Sequence, residues 1–437
     1  MERDHLIVID LGFGDAGKGA TVDWLCSPEA ALDVAAVVRF NGGAQAAHNV
    51  VAHGRHHTFA QFGSGTFSGV PTLLSEHMLV EPIALAAEAE TLARLGIADP
   101  LALLAVDSRA LLTTPIHIAA NRAREDARGS SRHGSCGRGI GETAWYAFGH
   151  DAPTVADCLR PGVLSDKLHR LAAHYASIIE PSGHRYEPIE ALVQMYREFA
   201  AAVRIVDDGE LARLAGRGRL IFEGAQGVLL DEWRGFHPHT TWSTVEPRNA
   251  RAMLAGIGAT GSVLGVTRTY STRHGAGPLP TEDAGLAIRE PHNGYGPYQG
   301  GFRLGHLDPI LLRYAVTVSG GIDGLVLTHL DAPGTEHLAS AYRVGDELIT
   351  ELPPGRWQDL DHQRRLTELL ARAEPVLTEI PGDRIAWLEQ HLGTRVVLTS
   401  DGPDRADRTP HAVWHRTFQV DRIPYSAATG WRSAGVA

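Results

Sequence analysis

Asp15 and Lys18 stand three positions apart in DLGFGDAGKGATVDWL, residues 10 to 25, where a glycine-rich turn separates two apolar runs. Gly12, Gly17 and Lys18 fit the first seven positions of the phosphate-loop pattern G-x-x-x-x-G-K-[ST]. Gly19 occupies the eighth, where a hydroxyl ordinarily binds Mg2+. Backbone N–H groups around Gly14 and a helix starting after Gly17 would face an anion, with Lys18 as a point charge. Asp15 is the nearby side chain whose oxygen suits a hard cation. The alternative is a flexible turn with a capping aspartate.

Four further stretches carry chemistry of the same kind. VVRFNGGAQAAHNVV (37–51) runs from a strand into Gly42-Gly43 and then Gln45, Ala47 and His48. A loop histidine beside phosphate can donate to developing negative charge, although a lone histidine is also a common structural residue. IFEGAQGVLLDEWRGFHPHTTWST (221–244) sets Gln226, a donor and an acceptor, between two glycines and ends on Thr240 and Thr241. In LTHLDAP (327–333), Asp331 can accept from the N1 and N2 groups of guanine, although His329 replaces the lysine of the [NT]-K-x-D signature. TSDGPDR (399–405) is a tight turn after the last strand, readable alone as an ordinary turn.

These loops need elements to hold them. Short β-branched runs alternate with amphipathic segments, which predicts an α/β fold: a large, mostly parallel sheet with helices on both faces. Strands are expected at Leu6–Asp10, Val34–Phe40, Leu101–Val106, Leu220–Phe222, Val263–Thr267, Leu325–Leu330 and Val396–Thr399. Helices are expected after Gly17 and over Pro82–Leu95, Pro115–Arg128, Leu164–Ile179, Ile189–Val206, Pro309–Val318, His362–Ala373 and Asp383–Leu392. Residues 110–210 read as a mostly helical insertion within one domain spanning 1–437. Gly-rich stretches at 63–69, 129–141, 275–277 and 294–305 are expected loops.

Composition narrows the function. At 437 residues the chain can bury a large core. A net charge of −11 argues against a general nucleic-acid or anionic-membrane binder. Three cysteines without C-x-x-C spacing fit a reduced cytoplasm, and MERDHLIVIDLG enters an apolar strand with no secretory leader expected. The histidines of HGRHHTF (53–59) have no regular metal-ligand spacing.

Taken together and in order, the motifs resemble those of adenylosuccinate synthetases. Gly14-Asp15-Ala16-Gly17-Lys18-Gly19, Gly42-Gly43 through His48 and Gly137-Arg138-Gly139-Ile140-Gly141 correspond to its loops. Phe222 through Asp231, GVTRTYSTRHGAGPLPTE (265–282), His329-Leu330-Asp331 and Ser400 through Arg405 continue the match. The resemblance implies a P-loop-related, GTP- and Mg2+-dependent C–N ligase, usually a homodimer. It phosphorylates the 6-oxo group of IMP, and L-aspartate then displaces the phosphate. It implies Asp15 as base and metal ligand, with the Ala47 carbonyl as a further ligand, His48 on the transferring phosphoryl and Gln226 on the oxo-purine. It places Gly14, Gly17, Lys18, Gly19, Asp331, Ser400 and Gly402 on GTP. Gln45, Ser135, Cys136, Arg138, Gln226 and Thr241 fall on the acceptor, and Gln299 and Arg303 on the amine.

Departures gather at the substrate loops. Ala16 replaces a glutamate, Gln45 an asparagine and Cys136 a threonine; of an R-x-R pair only Arg303 remains, after Gly301 and Phe302. The arginine that a neighbouring subunit lends has no evident counterpart in YAFGHDAP (146–153), where His150 lies nearest. The sequence therefore predicts the family reaction, or a paralogue with the same activation and another acceptor or amine in specialised metabolism. A non-catalytic GTP-binding protein is a third reading, against which the retained Asp15, His48 and Gln226 speak.

Overall fold

The computed structural model describes residues 4–129, 132 and 134–417. Ten strands form one sheet in the order Arg408–Pro410, Val396–Ser400, Gly324–Thr328, Gly261–Arg268, His5–Asp10, Arg219–Glu223, Val34–Arg39, Thr72–Leu74, Leu104–Asp107, Arg204–Val206. All neighbours run parallel except the first pair. The central strands are apolar on both faces, as His5–Asp10 and Gly324–Thr328 show by being buried throughout. That is the signature of a parallel sheet covered by helices on both sides.

Parallel pairing has one consequence that matters here. Asp10, Arg39, Glu223, Arg268, Thr328 and Ser400 are the last residues of six central strands and therefore reach the same edge of the sheet. Every motif singled out in the sequence leaves from this edge or joins it, the usual place for a ligand in an open α/β sheet.

Several elements differ from expectation. The predicted helix Ile189–Val206 ends at Ala202; Arg204–Val206, short and β-branched, forms the edge strand beside Leu104–Asp107. Residues 101–103, the start of the expected strand Leu101–Val106, lie instead in a 3-10 turn, Pro100–Leu103, that begins at Pro100. Thr72–Leu74 and Arg408–Pro410 are strands of three residues, too short to show a period. Helices Ile140–Gly149 and Arg248–Gly256 were not expected, each starting beside a loop motif. The Gly-rich 294–305 stretch ends in strand Phe302–Gly305, which pairs with Ser271–His274 as a separate two-stranded hairpin. The expected loop at 129–141 is described except for Ser130, Ser131 and His133. Between residues 110 and 210 lie helices Pro115–Arg128, Ile140–Gly149, Pro161–Ile179 and Ile189–Ala202, sharing one apolar cluster with helix Pro82–Arg94.

Candidate active site

Strand His5–Asp10 passes through a loop at 11–17 into helix Lys18–Leu25, whose first residue follows Gly17 in a left-handed conformation. The loop is held from below by the carboxylate of Asp10, which accepts from the amides of Gly12, Gly14 and Ala16 and from the Lys18 ammonium. Asp15 also has positive φ, 62°. Its carboxylate is partly exposed and stands 3.3 Å from Nε2 of His274, while its carbonyl accepts from Nε of buried Arg268 at 2.6 Å. Burial alone would raise the Asp15 carboxyl, but the hydrogen bond and charge of His274, then Arg268 and Lys18, hold it below its ordinary value. The base candidate is thus ionised.

The missing hydroxyl at position 19 has a steric cause. A Cβ on Gly19 would lie 2.5 Å from His48 Cβ and 2.9 Å from Ser64 Oγ. Glycine there lets the start of strand His48–Ala52 pack against the helix. His48 Nδ1 lies 2.7 Å from Glu223 Oε1, at the end of the neighbouring strand; Glu223 also accepts from Ser64 Oγ at 2.5 Å and Ser64 N at 3.0 Å. Burial lowers the His48 pKa against the pull of Glu223; burial would raise Glu223, but His48 and Arg39 hold it low. The pair is therefore a carboxylate accepting from Nδ1–H of a neutral ring, and Nε2 is buried without a partner among the described residues.

A second set of unpaired atoms lies beside it. Asn41 and Ala225 exchange hydrogen bonds of 3.0 and 2.8 Å, clipping the loop after Arg39 to the loop after Glu223. A Cβ on Gly42 would sit 3.3 Å from both Gln226 Oε1 and Gln45 Nε2. Gln226 Oε1 and both amide atoms of Gln45 are buried without partners among the described residues. Unsatisfied buried amides of this kind mark a place for a polar ligand. Gly227 packs on the phosphate loop so closely that a Cβ would meet Gly12 O at 2.1 Å. Ile140 reaches Gly43 and Trp242 reaches Gly141, which brings Thr241 and the Ser135–Arg138 loop to the same margin. Ser135 bonds Asn121, Cys136 is half-buried and Arg138 exposed.

On the other side, Thr328 Oγ1 donates to Ala16 O at 2.8 Å, and Leu330 N donates to Ser400 O at 3.0 Å. The Asp331 carboxylate is exposed beside them, with Gly402 half-buried on the adjoining turn. Burial, with the charges of Arg268 and Arg408, pushes the His329 imidazole down to about 2, so this ring is neutral. Arg405 clamps the turn to the phosphate-loop helix through Asp23 at 2.7 and 2.5 Å.

Arg303 lies in the separate hairpin. Its Nε and Nη2 donate to Glu282 at 2.9 and 2.5 Å, and its Nη1 donates to the carbonyls of Gly275 and Gly277 at 2.9 and 2.8 Å. Gln299 packs on the same turn through its carbonyl. Tyr298 covers Gly137 and lies within 5.9 Å of the Arg122 and 5.6 Å of the Arg132 guanidinium, which ties this hairpin to the Ser135–Arg138 loop. Among the described residues no three His, Cys, Asp or Glu converge as a metal site. One partly exposed carboxylate, with the exposed residue Ala47 as a second candidate, still fits Mg2+, which takes few protein ligands and completes its shell with water and phosphate oxygens.

A family model for adenylosuccinate synthetase matches residues 7–409. The chain belongs to the adenylosuccinate synthetase family. The adenylosuccinate synthetase of Coxiella burnetii (strain Dugway 5J108-111) is 32% identical over 444 residues, 92% of this chain and 96% of that protein. Among solved structures, the fully ligated adenylosuccinate synthetase of Plasmodium falciparum has a TM-score of 0.77 at 21% identity, over 93% of this chain and all of that one. The succinoaminodeoxyadenylate synthetase PurZ of cyanophage S-2L, bound to dGMP and to dATP as an energy donor, has a TM-score of 0.60 at 17% identity, over 94% and 96%. These likenesses bear out the sheet architecture read from the sequence. As an adenylosuccinate synthetase family member the protein is a ligase that forms a C–N bond. No helix among the described residues is long and apolar enough to cross a membrane.

Proposed function

We propose that the protein transfers the γ-phosphoryl of GTP to the oxo oxygen of an oxo-purine nucleotide and replaces that oxygen with an amine. Asp15 takes the proton from ring nitrogen N1 as the oxo oxygen attacks phosphorus and GDP leaves. The amine then adds to the ring carbon, phosphate departs, and the C–N bond remains. Phosphoryl transfer is mainly positioning and charge neutralisation. His48, oriented by Glu223, turns Nε2 to the moving phosphoryl, whose charge favours the protonated, donating ring. Gln226 and Gln45 pair with the polar edge of the acceptor, and Asp331 with Ser400 and Gly402 reads the donor base. Ser135, Cys136, Arg138 and Thr241 border the acceptor. Asp15 and the Ala47 carbonyl would hold Mg2+, which supplies charge neutralisation on the phosphates. The protein acts as a homodimer.

The observation that carries this reading is the convergence on one sheet edge of an ionised Asp15, an oriented His48, and the Gln45 amide and Gln226 Oε1, which have no partner among the described residues. A second reading keeps the activation and changes the acceptor, the amine or both. Arg303 favours it, because a guanidinium engaged by Glu282 and two carbonyls has little left for the carboxylates of L-aspartate. Mass spectrometry of products from GTP or ATP, IMP or dGMP, and a panel of amines including L-aspartate tests both. Adenylosuccinate from IMP and L-aspartate decides for the family pair, and another adduct decides for the second reading. Asp15→Asn should abolish turnover and leave triphosphate affinity largely intact; unchanged turnover removes the base role.

A further inference from the structure

Asp10 stands where a bound anion would be expected. It closes the central strand, is wholly buried, and its two oxygens take four donors. Oδ1 accepts from the amides of Gly12 and Gly14 at 2.8 and 3.3 Å; Oδ2 accepts from the Ala16 amide at 2.8 Å and from Lys18 Nζ at 3.1 Å. Loop amides and a lysine converging on one negative group make the concavity that binds phosphate elsewhere. In this chain the negative group is its own side chain. A carboxylate offers acceptor sites enough for all four donors, whereas an amide would set an NH2 against two of them. Lys18 is itself almost fully buried, and a buried ammonium requires a counter-ion.

We propose that Asp10 is a positioning residue with two tasks. It holds the loop in its ligand-ready form in the free protein, and it pairs with Lys18 and keeps that side chain in reserve. When a nucleoside triphosphate enters, Lys18 turns to the phosphates while the three amides stay on Asp10. The second task rests on the loop being the triphosphate site proposed above; the first does not.

Two measurements on the full chain separate these tasks from each other and from that reading. Hydrogen exchange of the ligand-free protein reads the first. In Asp10→Asn, amides of residues 11–18 should exchange at least about ten-fold faster while those of strands Arg219–Glu223 and Gly261–Arg268 keep their rates. Unchanged exchange in the loop overturns the proposal. Should Asp10→Asn not fold, Lys18→Met serves: its loop should stay protected, because the carboxylate still holds three amides, and lost protection overturns the proposal. Calorimetry with Mg2+ and GTP on the wild type, both single variants and the double variant reads the second task. If Asp10 also acts through Lys18, the effect of Asp10→Asn on binding differs between the wild-type and Lys18→Met backgrounds; effects that simply add overturn the hand-over. A wild type that takes up no GTP refutes the assigned triphosphate site and the second task with it, and the exchange result still decides the first.

Discussion

His48 and Glu223, 175 positions apart in the chain, meet at 2.7 Å where one strand begins and another ends, with Ser64 completing the shell of the carboxylate. The contact leaves one ring nitrogen for a ligand and fixes which one. Glu223→Gln keeps the shape and removes the charge that holds Nδ1–H. We expect kcat to fall about 100-fold or more, with little change in the KM for triphosphate. Steady-state kinetics with both substrates varied checks this, and wild-type kcat would mean the ring is oriented by other groups.

Gly19→Ser would restore the letter of a standard phosphate loop. The added Cβ falls 2.5 Å from that of His48, so either the helix or the histidine must move. The variant should lose about 1–3 kcal/mol of stability and most of its turnover. Urea unfolding and activity measure the two losses; a gain in activity would contradict the steric account.

Gln226→Met is expected to separate stability from function. Oε1 of Gln226 has no partner among the described residues, so an apolar replacement of similar length removes an unsatisfied group. The melting temperature should stay level or rise. Affinity for the oxo-nucleotide should fall about 10- to 100-fold, the worth of one or two ligand hydrogen bonds. Calorimetry of acceptor binding beside a thermal melt tests the pair of outcomes.

Asp308 gives a stability that depends on pH. It caps helix Pro309–Val318 through the Leu311 amide and accepts from Tyr342 Oη at 2.7 and 2.6 Å. Burial pushes its carboxyl up to about 6 from 3.8. Between these values the folded chain holds the extra proton, so the contribution is complete below the lower value and is lost as pH rises through the upper one. Asp308→Asn keeps a capping side chain and cannot titrate. From pH 3.5 to 7, wild type should lose about 3 kcal/mol relative to the variant. Urea unfolding across that range measures it, and a constant difference would show an ordinary carboxyl.

Much of the candidate site's arrangement was legible because its signals are local. A strand, a glycine turn and a polar residue occur within a few positions at Asp15, His48, Gln226 and Asp331, and the sheet delivers such turns to one edge. What the sequence did not show depends on partners brought together by folding. Glu223 lay inside a quoted motif without a role, because its partner belongs to another loop. His274 likewise meets Asp15 only through the separate hairpin. Asp10 read as a strand end, although a charge closing an apolar strand before a glycine loop was the signal available. Arg303 was read as a ligand group, and only the fold shows Glu282 opposite it.

Strands Ser271–His274 and Phe302–Gly305 pair with each other and with no strand of the ten-stranded sheet, and a long segment joins them. Replacements in that segment therefore leave the hydrogen-bond ladder of the ten-stranded sheet as it is, and reach the phosphate loop through the Arg268–Glu290 pair.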